Sequence, residues 1–372
     1  MRRILLVSVT ALAVAFAGGT SVPQAVGQPP DAVQHLYVTG VAADGLAGVN
    51  LSPGTAPRLA GKPTPIPDGI SIKGVAASPD GKFVYVGPLG DEGIAAFAVH
   101  PDGTLTEVAG SPAPSHAFGS LAVAADGKHL YATTTENARG VVTSFAINAD
   151  GLPVRSGSVE LDLTTHAGMM AVAPDGRNLY VADYFGNHII QLPLGADGIP
   201  GQPRQRIDAG GTPVMPGVSP DGRFLYVSNE LFGQVTAFRL GADGSLAEVP
   251  GSPFPAGIAP HGVTFSPDAS RVYVPNAGGN SISGYRVGAD GALTALPASP
   301  YSVGETIGLP GQIFGSRNGD RVYAVGVATI DVAVTARVLT MDVLADGSLR
   351  PGAEPLDTGQ LFVDGPLADI TP

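Results

Sequence analysis

The chain has 372 residues, of which 44% are hydrophobic and 14% charged, and its 52 glycines and 34 prolines are typical of a turn-rich globular protein with mostly β structure. A formal net charge of −12 excludes the dense cationic surface that nucleic acid or an anionic membrane needs in a partner. Because cysteine is absent, disulfides, thiolate metal sites and a cysteine nucleophile are excluded as well.

The N-terminal residues 1–27 have the pattern of a signal peptide. Arg2 and Arg3 precede an apolar run over residues 4–17, and small residues that suit cleavage occur at Ala17 and Gly27. The apolar run is shorter than the roughly 20 residues that a membrane-spanning helix needs. We therefore expect a secreted, extracellular protein with no membrane span. Cleavage is expected after residue 17 or 27, and residues 31–372 are predicted to form a single domain.

A tyrosine inside an apolar strand recurs along the chain at intervals of 46 to 50 residues. The seven copies are Tyr37, Tyr85, Tyr131, Tyr180, Tyr226, Tyr273 and Tyr323. A repeat of this length, with alternating hydrophobicity and regular turn signals, is typical of a β-propeller that has one four-stranded blade per repeat. The predicted fold class is therefore all-β: a seven-bladed β-propeller with four antiparallel strands per blade, named A to D from the axis outward.

Most repeats contain two Asp-Gly turns, one before the tyrosine and one after it. Around Tyr226, for example, these are Asp221-Gly222 and Asp243-Gly244. Asp-Gly predicts a two-residue hairpin in which both central residues have positive φ. The first set joins strands A and B and the second joins strands C and D. In an up-and-down blade both sets lie on one face, whereas the B–C loops and D–A connections lie on the other. We attribute the carboxylates to turn formation rather than to calcium binding.

The two ends of the repeat region are each incomplete. Residues 35–38 read as a strand B with no strand A before it, and residues 365–372 read as a strand A with no strand B after it. We expect the C-terminal strand A to pair with the N-terminal strand B in one blade. This pairing closes the ring and removes the exposed sheet edges that an open array of blades would leave.

Polar residues that do not repeat are concentrated on the face of the B–C loops. One group stands just before strand A: His116, His166 and His261. A second group follows strand B directly: Asp183, Asn229, Glu230 and Asn276. Imidazoles and carboxylates that converge at one channel mouth would form a general acid/base site. Two alternatives stay open: hydrogen bonding to the backbone at a crowded mouth, and metal binding by the three histidines. We predict no metal and no other cofactor.

Several repeats resemble those of the seven-bladed β-propeller lactonase family, which includes 6-phosphogluconolactonase and carboxymuconate-lactonising enzymes, and those of YVTN repeat proteins. The segments that carry the resemblance are "SPDGRFLYVSNELFGQVTAFRLGADGSL" at 219–246, "VADYFGNHIIQL" at 181–192 and "YVTG" at 37–40. The resemblance implies that Asn229 and Glu230 match an Asn-Glu pair, that His166 matches the first of two histidines and that Asp183 matches a loop aspartate. Where the family has an arginine and two further histidines, this chain has Val214, Met215 and Gly168.

The predicted function is that of a secreted lactonase-like hydrolase, because lactone hydrolysis needs a base and a donor for the oxyanion. The predicted catalytic residues are Glu230, His166, His261 and Asp183, and the predicted substrate-binding residues are His116, Asn229, Asn276 and Arg139. Arg337 is a second candidate for the missing arginine.

One alternative is a non-catalytic extracellular propeller that binds a carbohydrate, peptide or cell-wall ligand. Another is a metal-dependent gluconolactonase-type site. The expected partner is a small lactone or extracellular ligand, and the expected state is a monomer.

Overall fold

The computed structural model describes residues 33–39, 45–66, 72–88, 93–115, 120–136, 139–163, 167–304, 308–330, 333–361 and 367–371. These residues form seven antiparallel sheets arranged as a ring, which confirms the predicted seven-bladed propeller. Within the described ranges there is no α-helix, and one 3₁₀ turn covers Ala277–Gly279. The all-β fold class is therefore confirmed.

The blades are numbered from the N-terminal strand. Blade 1 contains β1 (Gln34–Thr39), β2 (Gly45–Leu51), β3 (Arg58–Leu59) and β4 (Thr64–Pro65). Blade 2 contains β5 (Ile72–Ala77), β6 (Phe83–Pro88), β7 (Ala95–Val99) and β8 (Leu105–Glu107). Blade 3 contains β9 (Leu121–Val123), β10 (His129–Glu136), β11 (Arg139–Ile147) and β12 (Pro153–Leu163). Blade 4 contains β13 (Ala167–Val172), β14 (Asn178–Asp183), β15 (His188–Pro193) and β16 (Gln205–Asp208).

Blades 5 to 7 each have a fifth strand, as does blade 1 once the C-terminal strand has joined it. Blade 5 contains β17 (Pro213–Val218), β18 (Phe224–Asn229), β19 (Gln234–Leu240), β20 (Leu246–Glu248) and β21 (Phe254–Pro255). Blade 6 contains β22 (Thr264–Phe265), β23 (Arg271–Asn276), β24 (Ser281–Val287), β25 (Leu293–Ala295) and β26 (Tyr301–Ser302). Blade 7 contains β27 (Gly308–Gly315), β28 (Arg321–Ile330), β29 (Ala333–Val343), β30 (Leu349–Pro351) and β31 (Leu356–Leu361), and β32 (Leu367–Ile370) returns to blade 1.

The repeated tyrosine lies in strand B, and in four of the blades it joins the blade to the next one. The Tyr226 hydroxyl donates to the carbonyl oxygen of Gly291 at 2.9 Å, and Gly291 belongs to the C–D turn of the following blade. The same bond forms from Tyr37 to Gly103, Tyr180 to Gly244 and Tyr273 to Gly347. The tyrosine and the second turn therefore repeat with one period because they contact each other.

The hydrophobic core is divided among the interfaces between neighbouring blades. One cluster, for example, packs Tyr226 and Val235 of blade 5 against Val263 and Val272 of blade 6. Each blade is consequently buried on both sheet faces, and each large apolar side chain buried in this way contributes about 1.5–3 kcal/mol to folding. This burial explains why the strands read as apolar runs.

The ring closes as predicted. Strand β32 pairs antiparallel with β1, with Asp369 opposite Tyr37, and the Thr371 amide donates to the His35 carbonyl at 2.8 Å. The Asp369 side chain is buried; its Oδ2 accepts the Ala77 amide of blade 2 at 2.9 Å and its Oδ1 accepts the Ile370 amide at 2.9 Å. The C-terminal strand therefore contacts both blade 1 and blade 2.

Strand A carries small residues next to the axis. Opposite the repeated tyrosine, blades 2 to 6 have Ala76, Ala122, Ala171, Gly217 and Thr264. Seven inner strands meet around the axis, so bulky side chains do not fit there readily. Blades 7 and 1 differ, because they place Phe314 and Asp369 at this position.

The predicted turn type was wrong, although the position of the turns was right. In blade 2 the Gly81 amide donates to the Ser78 carbonyl at 2.9 Å, and Gly81 has a φ of 70° whereas Asp80 does not have positive φ. This is a type I turn followed by a left-handed glycine, not a two-residue loop. The Asp80 carboxylate accepts bonds from the Ser78 hydroxyl at 2.7 Å and the Lys82 amide at 3.1 Å. The aspartate therefore stabilises the turn, as we interpreted it.

Both sets of turns lie on one face, as predicted. The A–B turns of blades 2 to 6 and C–D turns from blades 4 and 5 line one cavity of about 1530 Å³. The B–C loops and D–A connections therefore lie on the opposite face of the ring.

Blade 6 has Ala269 where most blades have a turn glycine, and its φ of 57° lies in the left-handed region. That conformation costs a non-glycine residue roughly 1–2 kcal/mol. We expect Ala269→Gly to raise the free energy of unfolding by about 0.5–1 kcal/mol in chemical denaturation, because glycine loses part of this gain to backbone entropy. Ala125→Gly, in the first part of the equivalent turn of blade 3, is the control and should give no increase. A less stable Ala269→Gly protein would contradict the prediction.

Candidate active site

The loops of blades 4 to 6 form one hydrogen-bonded surface on the face opposite the turns. We call residues 184–187, 209–212, 230–233, 254–261 and 277–280 the loop face. Asn187 Oδ1 accepts the Thr212 amide at 2.9 Å, and the Thr212 carbonyl accepts the Glu230 amide at 3.2 Å. The Gly233 carbonyl in turn accepts the Ala256 amide at 2.8 Å. These bonds hold the B–C loops and the D–A connections of neighbouring blades in fixed relation to one another.

A phenol and a carboxylate meet on the loop face. The Tyr184 hydroxyl donates to Glu230 Oε2 at 2.9 Å. Tyr184 is buried and Glu230 is partly exposed, so the carboxylate is reachable from solvent on one side. Burial, together with the Glu230 charge, raises the pKa of Tyr184. The phenol therefore keeps its proton and acts as the donor.

The sequence prediction included Glu230 but missed Tyr184. A signal for Tyr184 was present, because each residue follows the repeated tyrosine of its blade by four positions: Tyr184 follows Tyr180, and Glu230 follows Tyr226. Equivalent positions in adjacent blades are neighbours in a propeller. The offset therefore places the two residues at the same level of adjacent blades, and the structure shows that their side chains touch.

Tyr184 is also part of an apolar cluster. It consists of Met169, Tyr184, Val214 and Met215, all of them buried. Strand β17 has a bulge between Val214 and Gly217, and Met215 has a φ of 43° in the left-handed region. The Met215 amide donates to the Met169 sulfur at 3.2 Å. The apolar cluster therefore includes the two positions, Val214 and Met215, where the resemblance expects arginine and histidine. By excluding water it strengthens the hydrogen bond between Tyr184 and Glu230.

Three of the predicted site residues end strand B in blades 4, 5 and 6 and are fully buried: Asp183, Asn229 and Asn276. Asp183 Oδ1 accepts the Gly186 amide at 3.1 Å. Asn229 Nδ2 donates to Thr236 Oγ1 at 2.6 Å, and Asn276 Oδ1 accepts the Gly257 amide at 2.9 Å. Asp183 therefore fixes the loop that begins with Tyr184, and Asn229 ties β18 to β19 at the strand end that precedes Glu230.

His261 lies at the junction of blades 6 and 7. Its Nδ1 is 2.6 Å from the Gly311 carbonyl oxygen, and its backbone amide donates to the Pro275 carbonyl at 2.8 Å. The bond to a carbonyl requires the proton on Nδ1. The ring is buried, so His261 is fixed in orientation by the strand of the next blade.

The two arginine candidates each pair with an acid of their own blade. Arg139 Nη1 is 3.8 Å from Glu160 Oε2, and both side chains are largely exposed. Arg337 Nη2 is 3.5 Å from Asp357 Oδ2. His116 and His166 lie outside the described residues.

Within the described ranges no three histidine, cysteine or acidic side chains are grouped closely enough to share a metal ion. The same part of the chain contains no helix with the length and apolar character needed to span a membrane.

Comparison with known families agrees with this architecture. The model of the family described as lactonase, 7-bladed β-propeller, matches residues 113–217 and 216–307, which is more than half of the chain. The chain belongs to the seven-bladed β-propeller lactonase family. The matched residues of this lactonase-family chain include blades 4 and 5, and therefore Tyr184 and Glu230.

Curated relatives match over a shorter stretch. A 6-phosphogluconolactonase of Pectobacterium carotovorum subsp. carotovorum is 30% identical over 133 residues, which are 36% of this chain and 35% of that protein. A 6-phosphogluconolactonase of Pectobacterium atrosepticum is 31% identical over a stretch of the same length. The match thus spans about a third of the length of these relatives.

Solved structures share the fold over nearly the whole chain. A putative 6-phosphogluconolactonase from Bacteroides fragilis superposes with a TM-score of 0.74 at 19% identity, covering 93% of this chain and 100% of that one. The periplasmic gluconolactonase of Pseudomonas aeruginosa gives a TM-score of 0.72 at 15% identity, covering 91% and 99%. At these identities the likeness establishes the shared propeller fold.

Proposed function

We propose that this lactonase-family propeller hydrolyses a lactone or cyclic ester on its loop face, near the channel mouth, with Glu230 as the general base. The observation that carries the proposal is the bond from the Tyr184 hydroxyl to the Glu230 carboxylate. The Glu230 carboxylate can accept a proton, and the Tyr184 hydroxyl fixes its orientation. The apolar cluster beside them excludes water. Family membership supports the reaction class.

The reaction follows from the chemistry of the carboxylate. Glu230 takes a proton from a water molecule while the water oxygen bonds to the lactone carbonyl carbon, and the carbonyl becomes an oxyanion. Collapse of this intermediate breaks the bond between the carbonyl carbon and the ring oxygen. The proton then passes from Glu230 to the leaving ring oxygen, and the product is an open-chain hydroxy acid. Tyr184 acts as a positioning residue for Glu230.

We further propose that the reaction takes place outside the cell. Arg2, Arg3 and the apolar run at 4–17 support export of the enzyme. A secreted protein has access to lactones outside the cell. After loss of Arg2 and Arg3 with the signal peptide, 18 basic and 32 acidic residues give a net charge of −14, which keeps such a protein soluble and away from anionic surfaces.

The experiment that tests this function is a hydrolysis panel on the purified protein. Five- and six-membered lactones are compared with acyclic esters of the same acyl group, and proton release is followed at constant pH. We expect turnover of at least one lactone class above the rate of the buffer, with slower turnover of the matched acyclic esters. Equal rates for protein and buffer across the panel would reject the proposal.

A binding propeller is the second candidate function, and one observation favours it. Val214 and Met215 replace the arginine and histidine that the lactonase resemblance implies, and both are buried in the apolar cluster. Such a protein would bind a neutral lactone or sugar at the loop face without turnover. Calorimetric binding together with a flat hydrolysis panel would support this candidate.

A further inference from the structure

The loop face carries a concentration of exposed apolar side chains. Among the described residues, four of the large apolar side chains that are exposed lie on it: Phe185, Leu231, Phe232 and Ile258, with 61%, 68%, 60% and 70% of their surface accessible. Single exposed apolar residues are common on soluble proteins, but a group on one surface marks a binding site. We call these four residues the apolar rim.

The apolar rim is continuous with the Tyr184–Glu230 pair. Phe185 directly follows Tyr184, and their rings meet edge to face with centroids 5.0 Å apart. Leu231 and Phe232 directly follow Glu230, and the Leu231 amide donates to Thr212 Oγ1 at 2.9 Å. Each member of the pair is therefore followed in the chain by exposed apolar residues that the same loop positions.

Glycines of the neighbouring connections make room for the rim. A side chain at Gly211 would collide with the Phe232 ring, and a Cβ at Gly278 would lie 2.9 Å from Ile258 Cγ2. The two apolar side chains thus rest against bare backbone of adjacent segments. This packing holds them in place while most of their surface stays exposed.

The charge of the loop face decides which ligand suits it. Its five segments contain no lysine or arginine, and Glu230 supplies a carboxylate. Arg206, in the adjacent strand β16, has Nη1 3.5 Å from Asp183 and Nη2 3.3 Å from Asp162. A phosphate or carboxylate group on the ligand would therefore meet a like charge without a matching cation, which disfavours its binding.

We propose that the substrate is a lactone with an uncharged apolar substituent, such as an alkyl chain, which lies against Phe185, Leu231, Phe232 and Ile258 while the ring reaches Glu230. This inference rests on the proposed lactonase function and adds the substrate class. The inference predicts that the protein prefers lactones with apolar substituents to phosphorylated sugar lactones. An alkyl chain gains binding free energy in proportion to the apolar surface that it removes from water.

The test uses γ-lactones of one ring type with methyl, butyl and hexyl substituents, and a fourth with a terminal phosphate on the chain. We expect kcat/KM to rise by up to about fourfold for each methylene that becomes buried, and the phosphorylated compound to be the poorest substrate. In Leu231→Ser/Phe232→Ser the rise with chain length should be lost. Val154→Ser, which changes an exposed apolar residue on β12, is the matched control and should keep the full rise. Melting temperatures confirm that each variant is folded.

A binding series separates this inference from the proposed function. The γ-lactams with the same three alkyl groups resist hydrolysis and are titrated calorimetrically into the wild type and the double variant. One outcome is that no lactone is hydrolysed, while lactam affinity rises with chain length in the wild type but not in the double variant. The proposed lactonase function would then be wrong, and the inference that the apolar rim binds an apolar ligand would be supported. If lactones are hydrolysed with no preference for alkyl chains, or the phosphorylated one is best, the inference is overturned and the function stands. A third outcome is that lactam affinity does not change with chain length, while the wild type is a dimer and the double variant is a monomer. The apolar rim would then be the contact surface for a second copy of the chain.

Discussion

Replacing Glu230 with glutamine is expected to lower kcat for lactone hydrolysis by at least about 100-fold, because a positioned general base contributes 10²–10⁴ to the rate. Glutamine has nearly the same shape and still accepts the Tyr184 hydroxyl bond through its carbonyl oxygen, but it cannot take a proton from water. Steady-state kinetics on the best lactone of the panel measure the effect. The melting temperature of Glu230→Gln should stay close to that of the wild type.

Tyr184→Phe tests the role of the tyrosine that hydrogen-bonds to Glu230. It removes the hydroxyl that orients the carboxylate and leaves the ring in the apolar cluster. We expect kcat to fall by roughly tenfold with little change in KM, since an orienting hydrogen bond contributes about 1.5 kcal/mol when one partner is charged. Full activity in Glu230→Gln would remove Glu230 from the role of base and with it the mechanism proposed for the loop face.

The free energy of unfolding is expected to fall as the pH rises from about 4 to about 8, because of one buried carboxyl group. Burial raises the pKa of Asp369 to about 8, whereas an unfolded aspartate has a pKa of about 3.9. Between these two values the folded state holds a proton that the unfolded state has lost. The stabilisation is therefore complete below pH ~4 and is lost as the pH rises through ~8, with a slope of at most about 1.4 kcal/mol per pH unit.

Asp369→Asn should flatten this dependence, because the amide does not titrate in that range. Its oxygen still accepts the Ala77 amide, whereas the bond from the Ile370 amide is lost at every pH and lowers the stability of the variant by a constant amount. Denaturant titrations at pH 5, 7 and 8.5 provide the measurement, and the variant should exceed the wild type most at pH 8.5. Asp150→Asn, at an exposed turn, is the control and should follow the wild-type curve. A variant whose stability parallels the wild type at all three pH values would exclude Asp369 as the source.

The fold could be predicted closely because its determinants are local and repeated. The apolar strand around each tyrosine and the turn that follows it recur with one period. The structure shows a reason, since Tyr226 and three of its equivalents donate to the turn glycine of the next blade. The incomplete ends at β1 and β32 likewise predicted how the ring closes. The turn type was missed because Asp-Gly suits both a two-residue loop and a type I turn with a glycine bulge.

The candidate site could be predicted only in part. The position of Glu230 after strand B was evident from the repeat, but Asp183, Asn229 and Asn276 occupy the preceding position and looked equally functional. The structure shows those three buried: Asp183 and Asn276 accept backbone amides of the loop face, and Asn229 donates to Thr236 of the neighbouring strand β19. A polar residue at the end of a strand reads the same in the sequence whether it faces a substrate or a backbone amide.

The sequence by itself determined the number of blades, the closure of the ring and the face on which each turn lies, because these follow from a 46- to 50-residue period and from hairpin chemistry. Only the tertiary structure decided that Tyr184 contacts Glu230 and that Phe185 and Phe232 stay exposed beside them. These features depend on how loops from adjacent blades meet. Local periodicity does not specify contacts between side chains 46 residues apart, whereas packing of neighbouring blades does.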